Sequence, residues 1–547
     1  MSFLDSSWVK VQEIDNMFSV KKSEVLSPQW LESVVTAAGV LTIALSEADE
    51  LIGAMLTTVF LVGFLIQEMA KEREVPLFRK IHFRPHSNSG LLLGNLLTPM
   101  VTASALLRVD APQVNQYVAA VLFLCAVVPV AVLLCAVKNF RLSGVSKQRF
   151  AHQLWVIPVF GLLVWSSWSE HQLLSLVALA VTAYFFLTRL LYFLPKSFTL
   201  GEVVLISEAL TLLTLQAAFS LTEGVGSLLA CLQVLVLGCV VIAIAIYPVA
   251  TRLQTLSHGQ RTSCKPSKQA NIAYLKLSAY FYLCLAAAVV LVLLPWLGYL
   301  LGRGPLRWGI LFVIATKTRI LLFCLWVLLV MGAVGVVTLW GSSSTVVRKY
   351  FHLLAVCIYV PGILYDVHLL HLASAGTLFI FIVLEFLRIF RVWPIGDILH
   401  DAFQVFTDAQ DCGVAILTHI YLLLGMALPV WLYMESPHSQ FGTSLAIYSG
   451  VLSLGVGDTA ASVVGSLYGK IRWPGSKKTV EGTCAAILSQ LLACRLLFYL
   501  DPSLSAHPLG WSGVLWVVSL TSVLEAVTTQ IDNLVLPLFM YSLLLSL

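Results

Sequence analysis

Residues 455–482 place one acid near their start, followed by several cations and a row of small residues, inside an otherwise apolar chain. Asp458, Ala461, Gly465 and Gly469 recur at helical spacing, so they share one face of a helix. Small residues at this spacing let membrane helices approach closely, which is one interpretation of the pattern. It does not explain the acid, because a carboxylate in an apolar helix costs at least ~2.5 kcal/mol unless it is paired. A bound metal ion or a neighbouring cation is therefore expected at Asp458.

The polar stretch that follows, Lys470–Gly482, carries four cations against Glu481 alone. Lysine ammonium groups suit phosphate oxygens as point charges, and a threonine hydroxyl can donate a hydrogen bond to them. The Trp473-Pro474-Gly475 sequence predicts a turn that fixes the loop. Gly455 and Gly457 before Asp458 would let backbone N–H groups approach an anion. The pattern predicts phosphate binding, although a basic connector also marks the cytosolic side of a membrane protein.

The segments that must position these residues are hydrophobic almost from end to end. Of 547 residues, 59% are hydrophobic and 11% are charged, and the mean hydropathy is +0.90. Continuous apolar runs long enough to cross a bilayer exclude an outer-membrane barrel, whose strands alternate polar and apolar residues. We predict an all-α, polytopic integral membrane helical bundle of about 15–17 transmembrane helices. Examples of the runs are Gln116–Val137, Leu228–Val249, Ala273–Leu297 and Ile320–Trp340.

Cations collect in alternate connectors between these runs, and positive charge marks the cytosolic ends of membrane helices. Lys71–Arg84, Lys138–Arg149, Arg252–Lys276, Arg348-Lys349 and Lys470–Lys478 all fall on this predicted cytosolic side. The number of spans in the region from Leu306 to Trp340 is open, because Lys317 and Arg319 interrupt its apolar run. The region can form either one span or two.

Chemically specific connectors begin only after residue 340, which divides the chain by function. We predict an N-terminal cytosolic segment (1–29) without the pattern of a cleaved signal peptide, a multi-span membrane scaffold (30–340) and a membrane-embedded catalytic region (341–547). A cytosolic loop, 466–482, would bind the nucleotide. The eleven cysteines lack CxxC pairs and are interpreted as core residues.

The pattern DxxAxxxGxxxG followed by KKTxEG, from Asp458 to Gly482, resembles the CTP-binding signature of the dolichol kinase family. The similarity extends through Arg348–His352, Glu385–Arg388, Asp411–Gly413, Thr418–Gly425 and the region from Glu525 to Leu534, and so covers about the last 200 residues. The resemblance implies CTP-dependent phosphorylation of dolichol at the cytosolic face of the endoplasmic reticulum membrane, giving dolichyl phosphate and CDP. Dolichyl phosphate would serve as the lipid carrier for protein N-glycosylation and related glycosylation. The predicted nucleotide-binding residues are Gly465, Ser466, Leu467, Tyr468, Gly469, Lys470, Ile471, Arg472, Trp473, Pro474, Gly475, Ser476, Lys477, Lys478, Thr479, Val480, Glu481 and Gly482.

Phosphoryl transfer depends mainly on positioned cations and metal ions that stabilise charge on phosphoryl oxygens. We assign a metal-binding role, with Mg²⁺ as the expected ion, to Asp458 and Asp532, and a phosphate clamp to Lys477 and Lys478. Asp411 is the first choice of general base.

His352 and Asp532 are the alternative bases, and Glu525 would support Asp532. Glu385 and Arg388 lie three residues apart and form either part of the site or a simple intrahelical ion pair.

Three other functions fit parts of this pattern. A cytidylyltransferase related to CDP-diacylglycerol synthase would also bind CTP but release pyrophosphate, and a kinase for a shorter isoprenoid alcohol would share the motif style. A transporter is favoured only by the number of spans. The predicted partners are CTP and the membrane lipid dolichol, with no nucleic acid and no obligate protein partner.

Overall fold

The computed structural model describes residues 27–46, 50–71, 83–84, 87–106, 170–262, 268–340, 345–404, 411, 413–435, 444–504 and 510–546. Within these ranges the regular structure is helical, apart from an isolated antiparallel bridge between Arg472 and Thr479, so the predicted all-α class is confirmed. The helices are α1 (Pro28–Leu45), α2 (Glu50–Lys71), α3 (Leu91–Leu106), α4 (Glu170–Phe193), α5 (Leu200–Glu223), α6 (Ser227–Thr262), α7 (Lys268–Ala288), α8 (Leu294–Leu301), α9 (Pro305–Ile314), α10 (Lys317–Trp340), α11 (Thr345–Tyr365), α12 (Val367–Ile389), α13 (Ile395–Gln404), α14 (Thr418–Glu435), α15 (Thr459–Tyr468), α16 (Val480–Leu500), α17 (Gly510–Val527) and α18 (Asp532–Ser546).

Among the described residues, nine helical segments are long and apolar enough to cross a membrane, and seven shorter helices are also apolar. Two of the predicted runs, Leu228–Val249 and Ala273–Leu297, lie within such segments, and Ile320–Trp340 overlaps the segment Lys317–Val336 in α10. The run Gln116–Val137 and most of the predicted N-terminal segment lie outside the described residues. The polytopic membrane class is therefore confirmed, and the total of about 15–17 spans stays a prediction.

The region from Leu306 to Trp340 contains one long helix and one short one. Helix α9 has ten residues and is about 15 Å long, which is too short to cross a bilayer, and α10 begins at Lys317. Arg319 forms an ion pair with Asp366 at 2.7 Å and lies 3.9 Å from the centre of the Phe312 ring. The charge that interrupts the apolar run is thus neutralised by the residue that caps α12.

The outer and inner helices differ sharply in exposure. Leu321 and Leu328 of α10 are 70% and 71% exposed, as expected of side chains that face lipid. Helix α18 is instead buried along nearly its whole length, where it packs against α1, α3, α14 and α17. Helices from the N-terminal part of the chain therefore form one core with the C-terminal helix, whose first residue is Asp532.

Candidate active site

Asp458 lies at the end of a π-helical stretch, Val451–Asp458, that continues directly into α15. Such wider turns are frequent at functional sites, because the extra residue re-aims the side chains that follow. A Cβ atom on Gly455 would lie 2.2 Å from Val356, and one on Gly457 would lie 2.6 Å from the Gln490 amide. These contacts give both glycines a packing role between helices, and the approach of their backbone N–H groups to an anion stays a prediction.

Two side chains from the start of α11 contact the Asp458 carboxylate. Lys349 Nζ lies 2.5 Å and His352 Nε2 lies 3.4 Å from Asp458 Oδ2, and the carboxylate is only 13% exposed. The expected compensating cation is therefore Lys349, which sequence reasoning did not assign to the site. The signal was present, since Lys349 and His352 lie three residues apart on one helix face.

Lys478 joins the loop after α15 to the other two acids of the site. Its Nζ atom lies 2.6 Å from Glu525 Oε1 and 2.8 Å from Asp532 Oδ2, and it donates a hydrogen bond to the Glu525 carbonyl at 2.7 Å. Burial alone would lower the pKa of Lys478, but Asp532, Glu525 and Asp458 together raise it well above its usual range. Lys478 is therefore a permanent cation at physiological pH.

The carboxylates of Asp458, Glu525 and Asp532 form a compact group. One oxygen from each lies within 4.8 Å of the others. Three convergent carboxylate oxygens are the hard ligands that Mg²⁺ prefers, so the donor set fits the expected ion. The structure thus brings together the predicted pair Asp458 and Asp532, and it adds Glu525 as a third acid within the same distance. We call these three acids with Lys349 and Lys478 the carboxylate cluster.

The segment between α15 and α16 is a short hairpin. Trp473 N donates to Lys478 O at 3.0 Å, and Val480 N donates to Ile471 O at 2.8 Å. Its tip is the predicted turn, closed by the bond from Ser476 N to Trp473 O at 3.1 Å, with Gly475 at a φ of +66° that favours glycine. The turn prediction is confirmed, and the hairpin directs the Lys478 side chain back to the cluster.

Glu481 and Thr479 hold the hairpin at its base. Glu481 accepts hydrogen bonds from the backbone N–H groups of Lys470 (3.0 Å) and Ile471 (3.1 Å). Thr479 caps α16, because its Oγ1 accepts a hydrogen bond from Gly482 N at 3.3 Å. Both were predicted to bind nucleotide, and the contacts seen here organise the loop.

The small-residue face packs α15 against α16. A Cβ atom on Gly482 would lie 2.7 Å from Ala461 O, and one on Gly465 would lie 2.9 Å from Thr479 Oγ1. This is the helix-packing interpretation of the motif. Val480 is half-buried, and Trp473 Nε1 donates to Thr483 Oγ1 at 3.0 Å. The exposed members of the predicted nucleotide-binding set are Ser466, Leu467, Tyr468, Lys470, Ile471, Arg472, Pro474, Gly475 and Lys477.

Asp411 is not one of the three acids whose oxygens lie within 4.8 Å of one another. Its carboxylate accepts hydrogen bonds from Leu417 N (3.1 Å) and Thr418 Oγ1 (2.5 Å) at the start of α14. Its predicted role as a general base stays a prediction.

Glu385 and Arg388 form the intrahelical ion pair at 2.6 Å. Arg388 also donates to Val414 O and Glu385 accepts from Ile416 N, both at 2.7 Å, so this pair fixes the chain between Asp411 and α14.

Comparison with known proteins identifies the family. The family model for dolichol kinase matches residues 169–423, which includes much of the predicted scaffold and ends before Asp458. A dolichol kinase of Homo sapiens is 39% identical over 377 residues, which are 65% of this chain and 66% of that protein. Dolichol kinase EVAN of Arabidopsis thaliana is 30% identical over 567 residues, covering 94% of this chain and 98% of that protein. Dolichol kinase sec59 of Schizosaccharomyces pombe is 34% identical over 298 residues, or 50% of this chain and 57% of that protein.

No solved structure matches the chain significantly. This chain spans just under two thirds of the human relative and nearly the whole of the Arabidopsis relative. The resemblance inferred from the motif is confirmed, and it reaches further toward the N-terminus than the residues that suggested it. The chain belongs to the dolichol kinase family.

Proposed function

We propose that this protein transfers the γ-phosphate of CTP to dolichol, giving dolichyl phosphate and CDP, and thereby supplies the lipid carrier for glycosylation. The family and the multi-pass helical fold support a membrane lipid kinase. We propose the endoplasmic reticulum membrane as its location and the cytosol as the side that the site faces. The basic connectors that include Lys349 and Lys478 support this orientation.

The observation that carries the proposal is the carboxylate cluster. It combines three acids within 4.8 Å of one another with the ammonium groups of Lys349 and Lys478, next to an exposed loop with further cations. Phosphoryl transfer requires little covalent chemistry from a protein, and its rate comes mainly from fixed charges around the phosphoryl oxygens. An arrangement with both acids and cations at one point is suited to that task.

We assign metal binding to Asp458 and Asp532, with Glu525 as a third ligand. A bound Mg²⁺ would neutralise charge on the phosphate oxygens. Lys478 is held beside these acids and would contact the same oxygens, whereas Lys470, Arg472 and Lys477 are exposed and would bind the outer phosphates. The hairpin held by Glu481 keeps these cations on one loop.

The dolichol hydroxyl must lose a proton as it attacks, and we keep Asp411 as the proposed base. His352 is the alternative, because its Nε2 lies 3.4 Å from Asp458 Oδ2 and thus beside the cluster. The two are distinguished by Asp411→Asn and His352→Gln, since loss of the base should lower kcat by about 10²–10⁴ and leave the KM for CTP unchanged.

The alternatives are disfavoured by the family. A cytidylyltransferase would attack the α-phosphorus and release pyrophosphate, and a transporter would need its charged residues along a pathway through the membrane. The cluster instead joins residues from the ends of α11, α17 and α18 to the loop that follows α15. A kinase of a shorter isoprenoid alcohol would use the same site and differ only in lipid length.

The deciding experiment follows γ-labelled CTP into the lipid fraction with reconstituted protein, Mg²⁺ and dolichol. Asp458→Asn should abolish labelling, and the matched control Asp397→Asn, which removes a 57%-exposed carboxylate on α13, should retain it. Labelled pyrophosphate in place of labelled lipid would establish the cytidylyltransferase. Saturable CTP uptake without turnover would establish transport, and preference for farnesol-length alcohols would establish the shorter substrate.

A further inference from the structure

The four-residue segment Thr528–Ile531 joins the two helices that bring Glu525 and Asp532 to Lys478. Glu525 lies near the end of α17, and Asp532 is the first residue of α18. The conformation of this short segment therefore sets the separation of the two carboxylates. The residues that hold it come from the N-terminal part of the chain, more than three hundred positions away.

Glu202 of α5 fixes the end of the segment next to Asp532. Its Oε1 atom accepts hydrogen bonds from Ile531 N at 3.2 Å and from Arg84 at 2.5 Å, and its Oε2 atom accepts one from Thr199 N at 3.1 Å. Arg84 and Glu202 are 4% and 2% exposed. A buried ion pair with this many partners has one well-defined geometry.

Gln530 fixes the middle of the segment. Its side-chain amide accepts a hydrogen bond from Thr199 Oγ1 and donates one to Asn88 Oδ1, both at 2.5 Å. The Asn88 backbone N–H donates to Thr529 Oγ1 at 3.3 Å. Gly90, at a φ of +58°, leaves the space for this amide, because a Cβ there would lie 2.1 Å from it.

We propose that Glu202, Gln530 and Thr199 are positioning residues that place Asp532 for metal binding, so that the N-terminal helices complete the catalytic site. The proposal deepens the proposed function and rests on it. The buried polar network specifies a geometry that apolar packing of the same volume would leave less defined. Loss of residues that orient a metal ligand typically lowers metal affinity or activity by about 10–100-fold.

The test compares Gln530→Met with Gln233→Met. Gln233 is also fully buried and donates to Ser220 Oγ at 3.0 Å on α5, so its replacement removes a comparable hydrogen bond elsewhere in the bundle. Mn²⁺ affinity is measured by electron paramagnetic resonance without CTP or dolichol, and kcat and the KM for dolichol are measured in parallel. Gln530→Met should weaken Mn²⁺ binding by roughly tenfold or more and lower kcat, with the KM for dolichol unchanged.

Equal Mn²⁺ affinity in Gln530→Met and the native protein, or an equal loss in Gln233→Met, would overturn the proposal. If Gln530→Met does not fold, the pair Thr199→Val and Thr199→Ser decides. Serine keeps the hydroxyl that bonds Gln530 and should retain Mn²⁺ affinity, whereas valine should lose it, and identical behaviour of the two refutes the positioning role. Because Mn²⁺ binding is measured without turnover, a failure of the positioning role can be told apart from a failure of the proposed reaction.

Discussion

The two adjacent lysines of the motif should respond differently to replacement by methionine. Lys478 Nζ lies between Glu525 and Asp532, whereas Lys477 is exposed. Removing the Lys478 charge leaves Glu525 and Asp532 without their paired cation and removes its repulsion of a divalent ion bound beside them. A unit charge at ~4 Å is worth about 1 kcal/mol in water, and this low value applies because the Lys478 side chain is 34% exposed. Two charges on the ion then give about 2 kcal/mol, or roughly 30-fold tighter metal binding in Lys478→Met.

Metal affinity and turnover should therefore change in opposite directions in Lys478→Met. Mn²⁺ titration without nucleotide gives the affinity, and transfer of label from CTP to dolichol should fall by about 10²–10³, because the lost cation no longer stabilises charge on the phosphoryl group. Lys477→Met is the control, with metal affinity within about twofold of native and a raised KM for CTP. Weaker or unchanged metal binding in Lys478→Met would refute the charge competition inferred from the cluster.

Three further outcomes follow from the packing and charge of the loop. Gly482→Ala places a Cβ 2.7 Å from the Ala461 carbonyl, so thermal unfolding in detergent should show a loss of about 1–3 kcal/mol, and an unchanged midpoint would contradict the close approach of α15 and α16. Gly475→Ala forces φ = +66° on a residue with a side chain, at about 1–2 kcal/mol, so it should lower the unfolding midpoint and raise the KM for CTP several-fold; an unchanged KM would separate this turn from nucleotide binding. The neighbouring acids raise the pKa of Lys478. The contribution of its ammonium charge to folding stability is therefore complete below the unfolded-state pKa of about 10.4, and it is lost only as pH rises through the higher folded-state value. A basic limb in the native pH–rate profile below pH ~10 that disappears in Lys478→Arg would contradict that assignment.

The acids of the site could be found from the sequence because charge is costly in apolar helices. Asp458 and Asp532 stand out for that reason, and the structure brings them within 4.8 Å. The adjacent cations of the loop were equally visible, but nothing in the sequence pattern distinguishes Lys477 from Lys478. Their difference arises from the hairpin between Ile471 and Val480, whose register directs only Lys478 inward.

For other residues of the site, the sequence pattern has a second, more common explanation. Lys349 follows an arginine at the start of a helix, where a cation normally marks the cytosolic side, so its contact with Asp458 was not predicted. Gly465 and Gly482 carry a family motif, yet they act here by letting two helices touch. Spacing within one helix predicts which residues share a face, but it does not predict what that face contacts.

The hydrogen bonds that hold the segment Thr528–Ile531 could not be predicted from the sequence for a different reason. Glu202 and Gln530 are separated by more than three hundred residues, and each alone is a single polar residue near a helix end. The bonds from Glu202 and Thr199 to the segment Thr528–Ile531 depend on α3 packing against both α5 and α18, which no periodicity reveals. A prediction of the region 30–340 as scaffold follows from reading each connector separately, and the bonds to Ile531 give part of that region a direct connection to the site.

The charges of the site explain why the basic loop must accompany the acids. Three carboxylates and two ammonium groups leave the cluster with one net negative charge, which favours a divalent cation and disfavours a bare polyphosphate. One divalent ion reverses that sign, but only by one charge, far less than the triphosphate of CTP carries. The exposed Lys470, Arg472 and Lys477 supply three more positive charges on the hairpin, so the metal ion and the loop together balance the nucleotide. The acids alone would not attract the nucleotide, and the loop alone would not attract the metal ion. The Lys478 side chain belongs to the loop and connects it to the acids through ion pairs with Glu525 and Asp532.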